Sequence, residues 1–202
     1  MASELVLVRH GQTEWNISGQ HTGRSDIPLT DMGRQQALAL KSKLDGYQFE
    51  SVLTSPLTRA RDTAELAGFG PDSVQPGEIV NDLAEWDYGI YESRSTRDVR
   101  QEIPMWSVWT HEIIGGESIG QLGARCDRII ARTEAIDGSV AVFGHGHAMR
   151  VLGARWLGLP PQTGANLVLE TASVSVLGWE RQNRAIIHWN DCCEPRVEEH
   201  PY

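Results

Sequence analysis

Glu4-Leu5-Val6-Leu7-Val8 runs into Arg9-His10-Gly11, and Val140-Ala141-Val142-Phe143 runs into Gly144-His145-Gly146. Each is a short apolar run with no polar alternation, which reads as a β-strand covered on both faces. Each stops at a histidine followed by glycine, and Gly11 permits a sharp turn. In an open α/β sheet, ligands collect outside the carboxyl ends of the strands. Two histidines just past two such ends can face one another across one crevice. A single histidine there is more often structural; two of them, one preceded by Arg9, point to a site.

Outward from these strands, the pattern alternates. A polar loop over 11–30 leads to Thr30-Asp31, which caps a helix running to Leu44. Ser51-Val52-Leu53-Thr54 reads as a strand, followed by a helix from Pro56 to about Ala67. A loop over 68–77 precedes Glu78-Ile79-Val80, a third short strand. Residues 81–116 are irregular and hold three of the seven tryptophans, so a lid-like excursion is expected there. An amphipathic helix follows over 117–136, with Ile119, Leu122, Cys126, Ile129 and Ile130 on one side. After His147 a helix runs to Leu157. Residues 172–179 and 185–189 read as two strands joined at Arg181-Gln182-Asn183, with Trp179 and Trp189 expected in the core. The alternation predicts a single α/β domain over 1–202. Its expected form is a three-layer α/β/α sandwich with a mainly parallel central sheet and an antiparallel edge strand.

Composition narrows the function. The 202 residues are 40% hydrophobic and 22% charged, which suits a globular domain and excludes a disordered chain. No apolar run approaches the roughly 20 residues of a membrane helix. Met1-Ala2-Ser3-Glu4 has no basic leader, so a cytoplasmic protein is expected. The net charge of -9 disfavours nucleic acid and anionic membranes, so any anion must be held by a local cluster. Of the 18 basic residues only Lys41 and Lys43 are lysines, and arginine is the better fork for phosphate. Cys126, Cys192 and Cys193 form no disulfide framework and have no zinc spacing, and read as reduced thiols. A third strand end adds to the two histidines. In Thr54-Ser55-Pro56-Leu57-Thr58-Arg59, Arg59 lies in the first turn of its helix, where free N–H groups and a guanidinium together favour an anion.

Leu7-Val8-Arg9-His10-Gly11-Gln12-Thr13-Glu14-Trp15-Asn16 resembles the signature of the histidine phosphatase superfamily, which includes the cofactor-dependent phosphoglycerate mutases. Ser55-Pro56-Leu57-Thr58-Arg59-Ala60, Leu83-Ala84-Glu85-Trp86-Asp87-Tyr88-Gly89-Ile90-Tyr91-Glu92, Gly115-Gly116-Glu117-Ser118 and Gly144-His145-Gly146 resemble its further motifs, in family order. The resemblance implies that His10 is the nucleophile, that Arg9, Arg59 and His145 surround the phosphoryl group, and that Glu85 is the proton donor. It implies that Asn16, Thr22, Gly23 and Tyr88 line the substrate pocket. Two guanidiniums and a cationic His145 would neutralise the phosphoryl oxygens, so neither a metal nor another cofactor is expected. His10 must be neutral at its attacking nitrogen, with the other nitrogen held by a carbonyl of the Gly11 turn. His147 reads as a rim or structural residue, and His21 as a pocket-mouth or plain loop residue. Trp86, Trp106 and Trp109 read as packing.

Within the family, the residue after Glu85 is Trp86 rather than the mutase arginine, and the stretch from Glu92 to Gly115 is short. Both features resemble the phosphatase branch. The implied activity is a phosphoric monoester hydrolase for small sugar phosphates, bisphosphates included, with Arg97 and Arg100 as contacts for a second phosphate. The alternatives are a phosphoglycerate mutase and a non-catalytic phosphate-binding domain; the latter would need no proton donor. Ser93 departs from the glycine that the family places after Glu92. The expected partner is a small phosphorylated substrate, with a homo-oligomer left open.

Overall fold

Leu5 and Leu7 point to one side of strand β1 (Glu4–Arg9), and Val6 and Val8 to the other. This alternation builds the molecule. Leu5 and Leu7 join a core with Leu122, Ile129, Met149 and Trp156, whereas Val6 and Val8 join a second core with Leu40, Leu44 and Ala64. Helices therefore cover both faces of the sheet, giving three layers. The computed structural model describes residues 4–192. Cys193 and Met1-Ala2-Ser3 lie outside the described residues.

The other strands are β2 (Phe49–Thr54), β3 (Glu78–Ile79), β4 (Ser139–Gly144), β5 (Val174–Glu180) and β6 (Asn183–Asp191). Their order is β3-β2-β4-β1-β5-β6. The first four are parallel, and β5 and β6 add an antiparallel pair. The helices are α1 (Glu14–Ser18), α2 (Asp31–Leu44), α3 (Thr58–Ala64), α4 (Thr96–Glu102), α5 (Ile119–Glu134) and α6 (Gly146–Trp156). Thr30 and Ser118 cap α2 and α5 by accepting from the N–H groups of Gly33 and Gln121.

Four local readings change. The loop over 11–30 contains α1, closed by a capping box between Thr13 and Asn16. The helix after Pro56 starts at Thr58, widens after Ala64 into a looser helical turn over Glu65–Phe69, and is broken at Gly68, which adopts φ 105°. Trp179 and Trp189 are half-buried, since they cover the outer end of α6 at the sheet edge instead of lying between layers. Residues 81–116, expected to be irregular, contain α4 with its Ser95–Asp98 capping box and are closely packed: Trp86, Tyr88, Tyr91, Val99 and Trp106 belong to the same core as α5 and α6. Among the described residues, no helix is long and apolar enough to cross a membrane.

Candidate active site

Strands β1 and β4 are parallel neighbours with Arg9 opposite Gly144, so the residues that follow them emerge side by side. The His10 N–H donates to the Gly144 carbonyl at 3.0 Å, and the His10 and His145 rings lie 5.2 Å apart between centroids. The two histidines thus share one crevice, as the strand ends predicted. The reason for Gly11 differs from the expected turn. A side chain there would stand 2.3 Å from the Gly33 carbonyl oxygen at the start of α2, so close approach, not backbone angle, demands glycine.

His10 is almost fully buried, and its Nδ1 lies 2.6 Å from the Gly11 carbonyl oxygen. A carbonyl can only accept, so Nδ1 carries the proton and Nε2 keeps its lone pair. Burial, then Arg59 and Arg9, hold the ring well below the ordinary histidine range, so it is neutral. His145 is fully buried between two partners. Its Nδ1 accepts from Arg59 Nε at 3.2 Å, so Nε2 donates to Ser55 Oγ at 2.6 Å. Burial and the Arg59 charge push its pKa far down as well. One nitrogen thus accepts from a guanidinium, which favours a neutral ring here, whereas the cationic His145 was expected against a bound phosphoryl group.

Arg59 is buried at the start of α3. Besides His145 it donates to the carbonyls of Ser25 at 2.9 Å, Thr22 at 3.0 Å and Gly23 at 3.3 Å. A buried guanidinium must satisfy its donors, and this loop supplies acceptors. Thr22 and Gly23 hold Arg59 through their carbonyls, while the Thr22 hydroxyl donates to the Gln20 carbonyl and the Gly23 N–H to Glu92. Arg9 packs its guanidinium on Gly146, where an added methyl would stand 3.2 Å from its central carbon. Its Nη1 donates to the Leu169 carbonyl, and its buried Nε has no acceptor among the described residues. Such an orphaned donor beside two histidines suits an anion. Asn16 commits its Oδ1 to the Thr13 N–H and hydroxyl, which leaves its amide nitrogen.

Glu85 lies at the N-terminus of α6. Its carboxylate accepts from the N–H groups of Ala148 at 2.8 Å, His147 at 3.0 Å and Trp86 at 2.8 Å. Tyr88 is buried with its hydroxyl 2.6 Å from His147 Nδ1. Burial raises the phenol and lowers His147, so Tyr88 donates to a neutral imidazole. His21 packs on Tyr88 and Trp106 at 4.9 and 5.4 Å, inside the 81–116 segment. Trp86 and Trp106 are fully buried packing residues, as expected.

Arg97 and Arg100 are not brought to this cluster. Arg97 is exposed on α4, and Arg100 donates its Nε–H to the Trp106 carbonyl. Sequence reasoning missed Arg150. It stands one turn beyond Gly146 on α6, with its guanidinium 4.6 Å over Trp109, and burial and Arg9 lower it to about 10. Glu92, whose carboxylate accepts from the Gly23 and Ser25 N–H groups, was also missed. It closes the Leu83–Glu92 motif, which gave it no role of its own. Among the described residues, no group of three or more His, Cys, Asp or Glu side chains is arranged to hold a metal ion.

Comparison with known proteins places this geometry among relatives. The model of the histidine phosphatase superfamily (branch 1) matches residues 5–192. An acid phosphatase of Mycobacterium tuberculosis is 38% identical over 90% of this chain and 89% of its own length. A sedoheptulose 1,7-bisphosphatase of Saccharomyces cerevisiae is 36% identical over 86% of this chain and 74% of its own. The solved structure of a functionally characterised open reading frame from Mycobacterium tuberculosis superposes with a TM-score of 0.87 at 36% identity, covering 94% of this chain and 98% of that one.

Proposed function

The chain belongs to the histidine phosphatase superfamily and is a phosphoric monoester hydrolase, and on that premise we propose that it cleaves small sugar phosphates, bisphosphates included, through a phosphohistidine on His10. The observation that carries this reading is the tautomer of His10: Nδ1–H is committed to Gly11, and the lone pair on Nε2 is free to attack phosphorus. As the N–P bond forms, the P–O bond to the sugar breaks and Glu85 delivers a proton to the departing oxygen. Water then attacks the phosphohistidine, the N–P bond breaks, Glu85 takes a proton from the water, and inorganic phosphate leaves. Arg9 and Arg59 supply positive charge to the phosphoryl oxygens. His145 offers its Nε2–H, now on Ser55, as a neutral donor. Asn16 contributes its amide N–H.

Two features favour hydrolysis of sugar esters over mutase chemistry. Trp86 is a fully buried residue whose Nε1 donates to the Glu117 carbonyl, so no cation follows Glu85 to grip a glycerate carboxylate. Arg150 holds its Nε and Nη2 on the carbonyls of Gly164 and Ala165 but adds its positive charge to that of Arg9, which favours substrates with a second anionic group. The test is covalent trapping. Enzyme quenched with labelled substrate in alkaline denaturant, where phosphohistidine survives, should carry label on His10, and His10→Ala should carry none and lose turnover. Label on His10→Ala, or phosphate release with no adduct at all, overturns the reading. A screen over sugar mono- and bisphosphates and 3-phosphoglycerate should give phosphate release with little mutase product.

A further inference from the structure

Arg125 lies on α5, outside the cluster that would touch substrate, yet it is one of the most thoroughly bonded side chains in the protein. It is 7% exposed. Its Nη1 donates to two carbonyls at once, Asp82 at 2.7 Å and Ala84 at 2.6 Å. Its Nε and Nη2 form a two-pronged pair with the Glu117 carboxylate at 2.8 and 3.0 Å. Glu117 in turn grips the far side of Glu85: its carbonyl accepts from Trp86 Nε1 at 2.7 Å, and its N–H donates to the Asp87 carbonyl at 2.9 Å. Arg125 thus ties the backbone at 82 and 84, and the backbone of its partner Glu117 ties the Trp86 indole and the Asp87 carbonyl, so Glu85 lies between the ties.

A buried ion pair is an expensive way to secure a loop, since both charges must leave water. Apolar packing would hold the chain as well, but it would not fix direction. A planar guanidinium with five donors does, because each bond sets an angle as well as a distance. The carboxylate of Glu85 is held from the other side by the α6 amides of His147 and Ala148. Its reach toward a leaving oxygen is therefore set by where the backbone at 84–86 stands relative to α6. Misplacement by about 1 Å costs on the order of 10²-fold in rate.

We propose that Arg125, paired with Glu117, is a positioning residue for proton delivery: it acts on the reaction only through Glu85, by fixing the backbone on both sides of it. This rests on the role given to Glu85 in the proposed function. Lysine at 125 keeps the charge but cannot span two carbonyls and a carboxylate together.

The experiment is a double-mutant cycle in the full chain, read as single-turnover phosphohistidine formation from a sugar phosphate and from nitrophenyl phosphate. Arg125→Lys should lose about tenfold or more on the sugar phosphate and much less on nitrophenyl phosphate, whose leaving group departs without a proton. In the Glu85→Gln background the same change should cost little further, since groups acting as a unit are not additive. Glu117→Gln, which loosens the pair but leaves the carbonyl bonds, should show the same split in weaker form and supplies the reading if Arg125→Lys does not fold. Equal losses on both esters, or full additivity with Glu85→Gln, overturn the proposal while leaving Glu85 in place. If Glu85→Gln itself shows no dependence on leaving group, the Glu85 assignment fails first and this inference falls with it.

Discussion

Glu85 separates chemistry from binding at the scale of one residue. A sugar alkoxide is a poor leaving group and needs a proton, whereas nitrophenolate is a stable anion. Glu85→Gln should therefore slow phosphohistidine formation from a sugar phosphate by about 10²–10⁴-fold and from nitrophenyl phosphate far less, measured in a single turnover because the proposed mechanism also uses Glu85 in water attack. Equal losses on both esters would shift attention to Asp87, which is engaged with Arg24 at 3.2 Å. Ser93 makes a second residue-scale case. It adopts φ 64°, the left-handed region that costs a side chain about 1–2 kcal/mol, while its N–H donates to His21 and its carbonyl accepts from Gln20. The family's glycine at this place thus has a backbone reason. Ser93→Gly should raise stability by roughly 0.5–1 kcal/mol in urea unfolding, the gain being reduced by the entropy of glycine in the unfolded chain. A loss of stability would show that the hydroxyl compensates for the strain.

At the scale of elements, the site depends on how α2 meets the turn after β1. A methyl added to Gly33 would stand 2.1 Å from the Gln12 carbonyl oxygen, which is backbone and cannot swing away. Gly33→Ala should cost about 1–3 kcal/mol and also lower phosphate turnover, because the displaced turn carries His10. Unchanged melting and turnover would mean that α2 can slide. The same contact shows why short elements escaped the sequence. Helix α1 is five residues long, too few for an apolar period to register, and only its capping box betrays it. The long helices were legible from Thr30 as the cap of α2 and from the apolar stripe of α5. The start of α3 was not, because Pro56 suits a first helical turn but the chain stays extended at Leu57 and turns helical only at Thr58.

For the molecule as a whole, buried neutral histidines couple stability to pH. His10, His145 and His147 are all held well below the usual range, chiefly by burial, and His21 is lowered from 6.5 to about 4 by burial alone. Below pH 6.5 the unfolded chain binds protons that the folded protein refuses, so stability rises with pH. The His21 contribution is complete above pH 6.5 and is lost as pH falls from 6.5 toward about 4, by up to about 3 kcal/mol. Urea unfolding between pH 7.5 and 4.5 should show this loss, and His21→Gln should flatten it; an unchanged slope in the variant would assign the loss to the other histidines. What the sequence by itself determined is the frame. Unbroken apolar runs specify buried strands, caps and stripes specify helices, and glycine-flanked histidines mark the strand ends where a ligand must lie, all of which are local patterns. What tertiary structure alone decided is how donors and charges are spent. Arg59 turns to the carbonyls of Thr22, Gly23 and Ser25 as well as to His145, Arg150 spends its Nε and Nη2 on the carbonyls of Gly164 and Ala165, and Arg125 bonds the carbonyls of Asp82 and Ala84 on the chain leading to Glu85. These depend on which acceptors lie within about 3 Å after folding, and for residues far apart in the chain no local pattern records that.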